Sequence, residues 1–195
     1  IINVLDKVSI DVERTIKTML SSPTVASRLE KTGTVSYENA VSLGLTGMAA
    51  RASGVNIDTR FDFPDKWYKD IDNRSTKADG DVYSRTRLRY KEIKQSIYII
   101  KKFLKLLENY SNEELIVKKS NMLPSSFVVS ITEGWRGEVV HIAITDENGK
   151  LSRYKIKDAS FNNWFALAIA VRNNGISDFP LCNKSFNLSY CGNDL

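Results

Sequence analysis

The hydrophobic positions of this chain change period twice. Over residues 3–20, Val4, Val8, Val12, Ile16 and Leu20 step by four with no internal Gly or Pro, a spacing that predicts an amphipathic helix. Ser22-Pro23 stops it, and Pro23 is suited to open a short second helix reaching Ser27-Arg28. Thr32-Gly33-Thr34-Val35 reads as a short extended piece, and Ser36 as the N-cap of a helix over 37–43 closed by Gly44. The strongest helical pattern covers about 82–109, capped by Asp81, with Val82, Thr86, Tyr90, Ile93, Ile97, Ile100, Leu104 and Leu107 stepping by fours and threes.

From Ser126 the period becomes two. Strands are predicted over 127–131, 138–145 and 151–156, with Glu147-Asn148-Gly149-Lys150 as an Asn-Gly hairpin turn. Ser160 is expected to cap a last helix through about Arg172, carrying Trp164, Phe165, Ala168 and Val171 on one face and ending at Asn173-Asn174-Gly175. The tail from Ile176 onward has no clear period. Its Phe179, Leu181, Phe186 and Tyr190 are therefore expected to lie exposed and to pack against something else. Helices, then a small antiparallel sheet, then a helix make an α+β fold around one long central helix, with 1–195 as a single domain.

The bulk numbers narrow the class without naming a chemistry. The 195 residues are 42% hydrophobic and 26% charged, as in ordinary globular proteins, and long enough for a sizeable core. No apolar run approaches the roughly 20 residues that span a bilayer, and no signal peptide is read at the start. The chain opens without Met, which fits a fragment or a processed product. Two cysteines, Cys182 and Cys191, suit a reducing cytoplasm rather than a disulfide framework. A net charge of +5 permits an acidic protein partner or an anionic membrane surface. Nucleic-acid binding through the Lys-rich helix has no stacking aromatics or motif behind it.

Three constellations carry candidate chemistry. Residues 44–80 hold Gly44, Gly47, Gly54, Pro64 and Gly80 and read as a long ordered loop, in which Arg51, Asp58 and Arg60 are placed to cross-brace one another. A surface loop with solvated charges is the competing reading. On the long helix, Arg85, Arg89, Glu92 and Ser96 repeat the apolar step one residue earlier and form a polar ridge able to hold the loop or a partner. A solvated face explains Lys91, Lys94, Lys101, Lys102 and Lys105 well, and that ridge less well. In Glu133-Gly134-Trp135-Arg136-Gly137-Glu138, two glycines bracket a sharp turn that would project Arg136 and leave Glu133 nearby; a plain hairpin with an exposed Arg competes. His141, alternating within its strand, is expected to be a hydrogen-bonded strand-face residue rather than a metal ligand.

The spacing of Gly44, Gly47, Arg51, Gly54, Asp58 and Arg60 is similar to a loop of the complex I and membrane-bound hydrogenase large subunits. Residues 133–138 resemble the Glu-x-Pro-Arg-Gly-Glu turn of nickel–iron hydrogenase large subunits and of the hydrogenase-like 49 kDa subunit of complex I, with Trp135 in place of proline. The closing Ser185-Phe186-Asn187-Leu188-Ser189-Tyr190-Cys191-Gly192 lies where that family's metal-binding Cys-x-x-Cys sits. Aligned on Ser185, it puts Ser189 and Gly192 at the cysteine positions and Cys191 one residue out of register. The resemblance covers about 25–195 and corresponds to the C-terminal part of a family member.

The resemblance implies the fold of the C-terminal part of a nickel–iron hydrogenase large subunit. It implies a subunit of a membrane-associated complex I-like or hydrogenase-related oxidoreductase, quinone-type or ferredoxin-linked, coupling electron transfer to ion translocation. Arg136 and Glu133 are then the catalytic candidates, and Arg51, Asp58, Arg60, Arg85, Arg89 and Glu92 the structural or interface ones. The expectation is no metal and no cofactor on this chain, and an iron–sulfur cluster in a partner small subunit. Further subunits of a membrane-bound complex are expected, with quinone only in the full assembly and no nucleic acid. The implied location is peripheral, on the cytoplasmic side of the inner membrane. A true nickel–iron hydrogenase large subunit of the formate hydrogenlyase type and a non-catalytic structural or assembly module are the alternatives.

Overall fold

The computed structural model describes residues 1–64, 68, 78–108 and 121–191. Its helices are α1 (Ile2–Leu20), α2 (Pro23–Leu29), α3 (Tyr37–Ser42), α4 (Gly47–Ala52), α5 (Thr59–Asp62) and α6 (Val82–Leu107). The strands β1 (Phe127–Gly134), β2 (Gly137–Thr145) and β3 (Leu151–Lys157) follow, then α7 (Ala159–Ala170), a 3-10 turn (Ile176–Asp178) and α8 (Phe179–Phe186). This is the α+β architecture expected. The chain forms two compact units, 1–28 with 87–120 and 29–86 with 121–195.

In the first unit, α1 runs beside the later part of α6. Asp6 pairs with Lys101, while Lys94 and Tyr90 lie within electrostatic reach of Glu13 and Lys17. Those pairings, rising on one helix as they fall on the other, make the two antiparallel. The predicted stripe of α1 is right in its second half: Val12, Ile16 and Leu20 are half-buried, whereas Val4 and Val8 are exposed and Leu5, outside the stripe, is half-buried in their place. A strict step of four drifts about 40° per step around a 3.6-residue helix, so a stripe built on it leaves the buried face. In α6, Val82, Leu88, Ile97 and Ile99 are buried, whereas the predicted Ile100 and Leu107 are exposed. Asn109, placed at the end of the predicted helix, lies outside the described residues.

In the second unit, the Ser36 hydroxyl caps α3 by accepting from Asn39 N at 3.2 Å, as expected. Asp81 caps α6 with one carboxylate oxygen on Ser84 N at 2.7 Å, and its other oxygen accepts from Lys31 N at 2.8 Å. The stretch read as a long ordered loop contains the short helices α4 and α5. Both are too short to show a period, being one to two turns each.

The sheet is antiparallel in the order β1-β2-β3. Its register puts Phe127, Ile144 and Arg153 in one cross-strand row, Val129, Ile142 and Lys155 in the next, and Ile131, Val140 and Lys157 in the third, all on one face. Glu133 and Glu138 continue that face. The opposite face carries His141, whose Nδ1 is hydrogen-bonded to the Tyr154 hydroxyl, the role expected of it. The β2–β3 turn starts one residue earlier than predicted. Asp146 accepts from Gly149 N, and its carboxylate takes Asn148 N and Lys150 N, leaving Gly149 as the left-handed residue at φ 73°. The Asx bonds of Asp146 outweigh the Asn-Gly signal.

Three corrections concern the C-terminal region. Asp158, not Ser160, caps α7, accepting from Ser160 N at 2.7 Å. Helix α7 is apolar nearly all round, and it buries its small residues Ala166 and Ala170 with Asn163 and Leu167, leaving Phe165 71% exposed. The predicted face of Trp164, Phe165, Ala168 and Val171 is therefore not the buried one. Small side chains won because they let α7 approach α8 and β2 closely. The tail is also not periodless: α8 buries Cys182 and Phe186, and Leu188 is buried just beyond it. Phe179 and Tyr190 do stay exposed. An eight-residue helix started by Pro180 near its N-terminus was too short to register as a pattern.

Candidate functional site

The site is assembled where the β1–β2 hairpin meets the glycine-rich stretch. Gly134 and Gly137 are paired across the hairpin and are joined by Trp135 and Arg136, with Gly137 at φ 135°. Gly47, at the start of α4 with φ 65°, lies directly against this turn. A Cβ added to Gly47 would sit 2.2 Å from Gly137 Cα and 2.3 Å from the Arg136 carbonyl oxygen. Two backbones touch here because neither residue has a side chain.

Charge completes the joint. Arg51, buried in α4, donates from Nη1 to the Glu133 carboxylate at 2.9 Å and to the Ile57 carbonyl at 3.0 Å, and lies 3.3 Å from Asp58. Asp58 caps α5 and binds Arg60 in a bidentate pair, Nε at 2.9 Å and Nη2 at 2.6 Å. Glu133 also accepts from Thr59 N at 3.2 Å. The expected Arg51–Asp58–Arg60 brace is thus present, and Glu133 joins it with its side chain only 3% exposed. Burial pushes the Glu133 carboxyl above the usual carboxylate range, against the pull of Arg51 in the other direction. Glu133 and Glu138 sit opposite each other on the hairpin, an arrangement of like charges that would destabilise it. Each is neutralised elsewhere, Glu133 by Arg51 and Glu138 by Lys157 at 2.8 Å.

Arg136 turns the other way. Its Nε donates to the Asn187 carbonyl at 2.5 Å, and its guanidinium lies 5.2 Å from the Trp135 ring centroid. Asn187 is the left-handed residue that ends α8. No hydrogen bond links Arg136 to Glu133 among the described residues, so the structure does not bring the two catalytic candidates together as a pair. Glu133 is fixed to the glycine-rich stretch, whereas Arg136 keeps terminal N–H groups available to an anionic or polar group.

Arg85 belongs to a separate staple. Completely buried, it donates to Ser185 Oγ at 2.9 Å, the Gly80 carbonyl at 2.7 Å and the Gly33 carbonyl at 2.8 Å, and its guanidinium lies 4.2 Å from the Phe186 ring centroid. It anchors α8, and through α8 the Asn187 carbonyl that holds Arg136. Arg89 and Glu92 fall in the other compact unit, half-buried, with burial lowering the Arg89 pKa and Glu92 opposing that shift. The polar ridge of Arg85, Arg89, Glu92 and Ser96 is therefore split: Arg85 is core, and Ser96 is exposed.

Sequence reasoning missed three contributors. Asn163 clamps Thr46 from both sides, accepting from its N–H at 3.1 Å and donating to its carbonyl at 3.2 Å, and Asn162 donates to the Gly44 carbonyl at 2.7 Å. Ser160 Oγ accepts from Ser189 N at 2.9 Å. The signal was available: two consecutive Asn residues are poor helix formers and need a reason to sit in the first turns of α7. The donor set does not suit a thiolate-held nickel centre. Ser189 offers a hydroxyl 3.5 Å from the Cys191 thiol, and Gly192, which has no side chain, lies outside the described residues. Cys182 is buried against the Ala170 carbonyl.

Residues 1–123 match the family of the respiratory-chain NADH dehydrogenase, 49 Kd subunit. Formate hydrogenlyase subunit 5 of Escherichia coli (strain K12) is 30% identical over 94% of this chain and 32% of its own length. A subunit of the NAD(P)H-quinone oxidoreductase of Trichormus variabilis (strain ATCC 29413 / PCC 7937) is 29% identical over 88% of this chain and 50% of its own. The alpha subunit of the membrane-bound hydrogenase of Pyrococcus furiosus (strain ATCC 43587 / DSM 3638 / JCM 8422 / Vc1) is 28% identical over 86% of this chain and 43% of its own. This chain thus spans about a third to a half of these relatives. Its fold is shared with a chain of the membrane-bound sulfane sulfur reductase, an archaeal respiratory membrane complex, at TM-score 0.84 and 20% identity, covering 99% of this chain and 54% of that one.

Proposed function

Since the chain belongs to the family of the 49 kDa subunit of respiratory-chain NADH dehydrogenase, we propose that it is part of the large subunit of a membrane-associated oxidoreductase of the complex I and membrane-bound hydrogenase type. That enzyme couples electron transfer, quinone-type or ferredoxin-linked, to ion translocation. The observation that carries this reading is the joint itself: Gly47 against Gly137, and Arg51 on Glu133, lock the two family-like motifs onto one another across more than 80 residues of sequence. Among the described residues no helix is long and apolar enough to cross a membrane, so attachment to the membrane, on its cytoplasmic side, runs through other subunits. One of those subunits carries the iron–sulfur cluster. Quinone, where used, binds only in the full assembly.

Within this reading Arg136 is the catalytic candidate, presenting a cation from a turn held rigid on both sides. Glu133 acts through Arg51 and Thr59 as a positioning residue. No nickel is held here, because a hydroxyl, a glycine and one exposed thiol replace the soft ligand pair. The test is purification of the tagged chain from its native host in mild detergent, with elemental analysis and turnover assays. Iron–sulfur and membrane subunits are expected to co-purify, with nickel far below one per chain. Arg136→Ala is expected to cut turnover while leaving the assembly intact. Recovery of the chain alone, or stoichiometric nickel, overturns the reading.

A further inference from the structure

The outer half of the sheet leaves an apolar face in water, and that face has a charge pattern. Each of its three cross-strand rows is apolar on β1 and β2 and basic on β3. Phe127 is 66% and Val129 42% exposed, and Ile131 and Ile144 are exposed with them. Lys157 is held by Glu138, but Arg153 and Lys155 have no carboxylate partner among the described residues. The result is an apolar band along β1 and β2 with a basic border on β3. Contiguous exposed apolar area of this kind marks an interaction surface.

We propose that this face docks an amphipathic segment of a partner subunit, with an apolar stripe over Phe127, Val129, Ile131 and Ile144 and carboxylates over Arg153 and Lys155. The proposal rests on the subunit reading above and names what covers one of its surfaces. Charge chooses among occupants. A second copy brings another chain of net charge +5 and another unpaired basic border, so self-association sets like charges together. An anionic membrane surface suits the basic border but not the end of the band. There Phe127 and Ile144 line a hollow of about 570 Å³ shared with Asp146 and Glu147, and those carboxylates repel anionic headgroups. Cations along one border and anions at one end fit a protein segment of complementary sequence.

The experiment places p-benzoylphenylalanine at position 129 of the tagged chain in its native host, irradiates the cells and identifies the adduct. The expected result is an adduct with a different polypeptide. The pair Arg153→Glu and Lys155→Glu should weaken it about tenfold, and added salt should weaken it further. Circular dichroism of each variant checks that the fold is kept. An adduct between two copies, an adduct with lipid alone, or capture of vesicles of phosphatidylcholine and phosphatidylglycerol at this face overturns the proposal. Neighbouring subunits that co-purify while position 129 gives no adduct sink the surface and leave the subunit reading standing. If nothing co-purifies, the subunit reading fails and the surface with it.

Discussion

The two ends of the β1–β2 hairpin reverse the usual distribution of charge and hydrocarbon. At the turn, two carboxylates and two guanidinium groups are packed among glycines, away from water. At the open end, phenylalanine, valine and isoleucine face solvent. A hairpin that served only this chain's own core would be built the other way round. The difference teaches that the buried end is specified by geometry, meaning backbone contact and directional pairing. The exposed end is specified by something outside the described residues. Each end makes a different prediction about what mutation does, and the predictions below are ways to break that contrast.

The largest effects are expected at the turn end of the hairpin, where the backbone contact and the buried charges are of comparable weight. Gly47→Ala adds a Cβ that overlaps Gly137 Cα and the Arg136 carbonyl, in a left-handed conformation. The backbone term alone costs roughly 1–2 kcal/mol, and forcing apart two packed backbones adds roughly 1–3 kcal/mol. Gly44→Ala is the control, since Gly44 is also left-handed but its added Cβ meets only Asn162 at 3.6 Å. Denaturant unfolding should show the first variant losing well over twice what the second loses. Equal losses would mean the close approach of Gly47 to Gly137 does not matter.

Next come the charges. Arg51→Met leaves Glu133 and Asp58 buried with their shared cation removed, and breaking such a pair costs roughly 3–5 kcal/mol. Glu133→Gln should cost less, because Arg51 keeps the Ile57 carbonyl and Asp58 as partners. The pH dependence separates the two further. Burial raises the Glu133 pKa in the folded state above its ordinary unfolded value of about 4.3. The folded chain therefore binds that proton more tightly. This contribution to stability is complete below the unfolded value and is lost as pH rises through the raised folded value. The stability of the natural chain relative to Glu133→Gln should accordingly decline over that window. A difference that grows with pH instead would show that pairing with Arg51 outweighs burial.

How much of this was legible in the sequence differs between the same two ends. The Arg51, Asp58 and Arg60 brace could be read because guanidinium–carboxylate pairing is directional and the three lie within ten residues. The partner Glu133 could not be assigned to that brace, since no local rule joins residues 82 positions apart. The sheet and the long helix followed from their periods. Helices α4, α5 and α8 did not, because elements of four to eight residues are held by capping and tertiary contact rather than by an apolar stripe. The inverted burial of α7 shows the same limit. When every face is apolar, periodicity gives no direction, and the small residues decide.

The smallest effect is expected at the open end, and its smallness is the point. Val129→Ser removes two methyl groups from a strand position that is 42% exposed and whose cross-strand neighbour, Ile142, is itself only half-buried. In the isolated chain the change should lie within about 0.5 kcal/mol, the range of ordinary surface substitutions. Residual cost would come from strand propensity, since valine suits a pleated surface better than serine. In the chain purified with its neighbouring subunits, the same substitution removes part of the apolar band under a docked segment. Protection of the β1 amides against hydrogen exchange should then fall while the protection of α4 and α5 holds. A loss above about 2 kcal/mol in the isolated chain, beyond the usual size of such a surface change, would mean that the exposed face is already covered by the chain itself. The contrast between the two ends of the hairpin would then collapse.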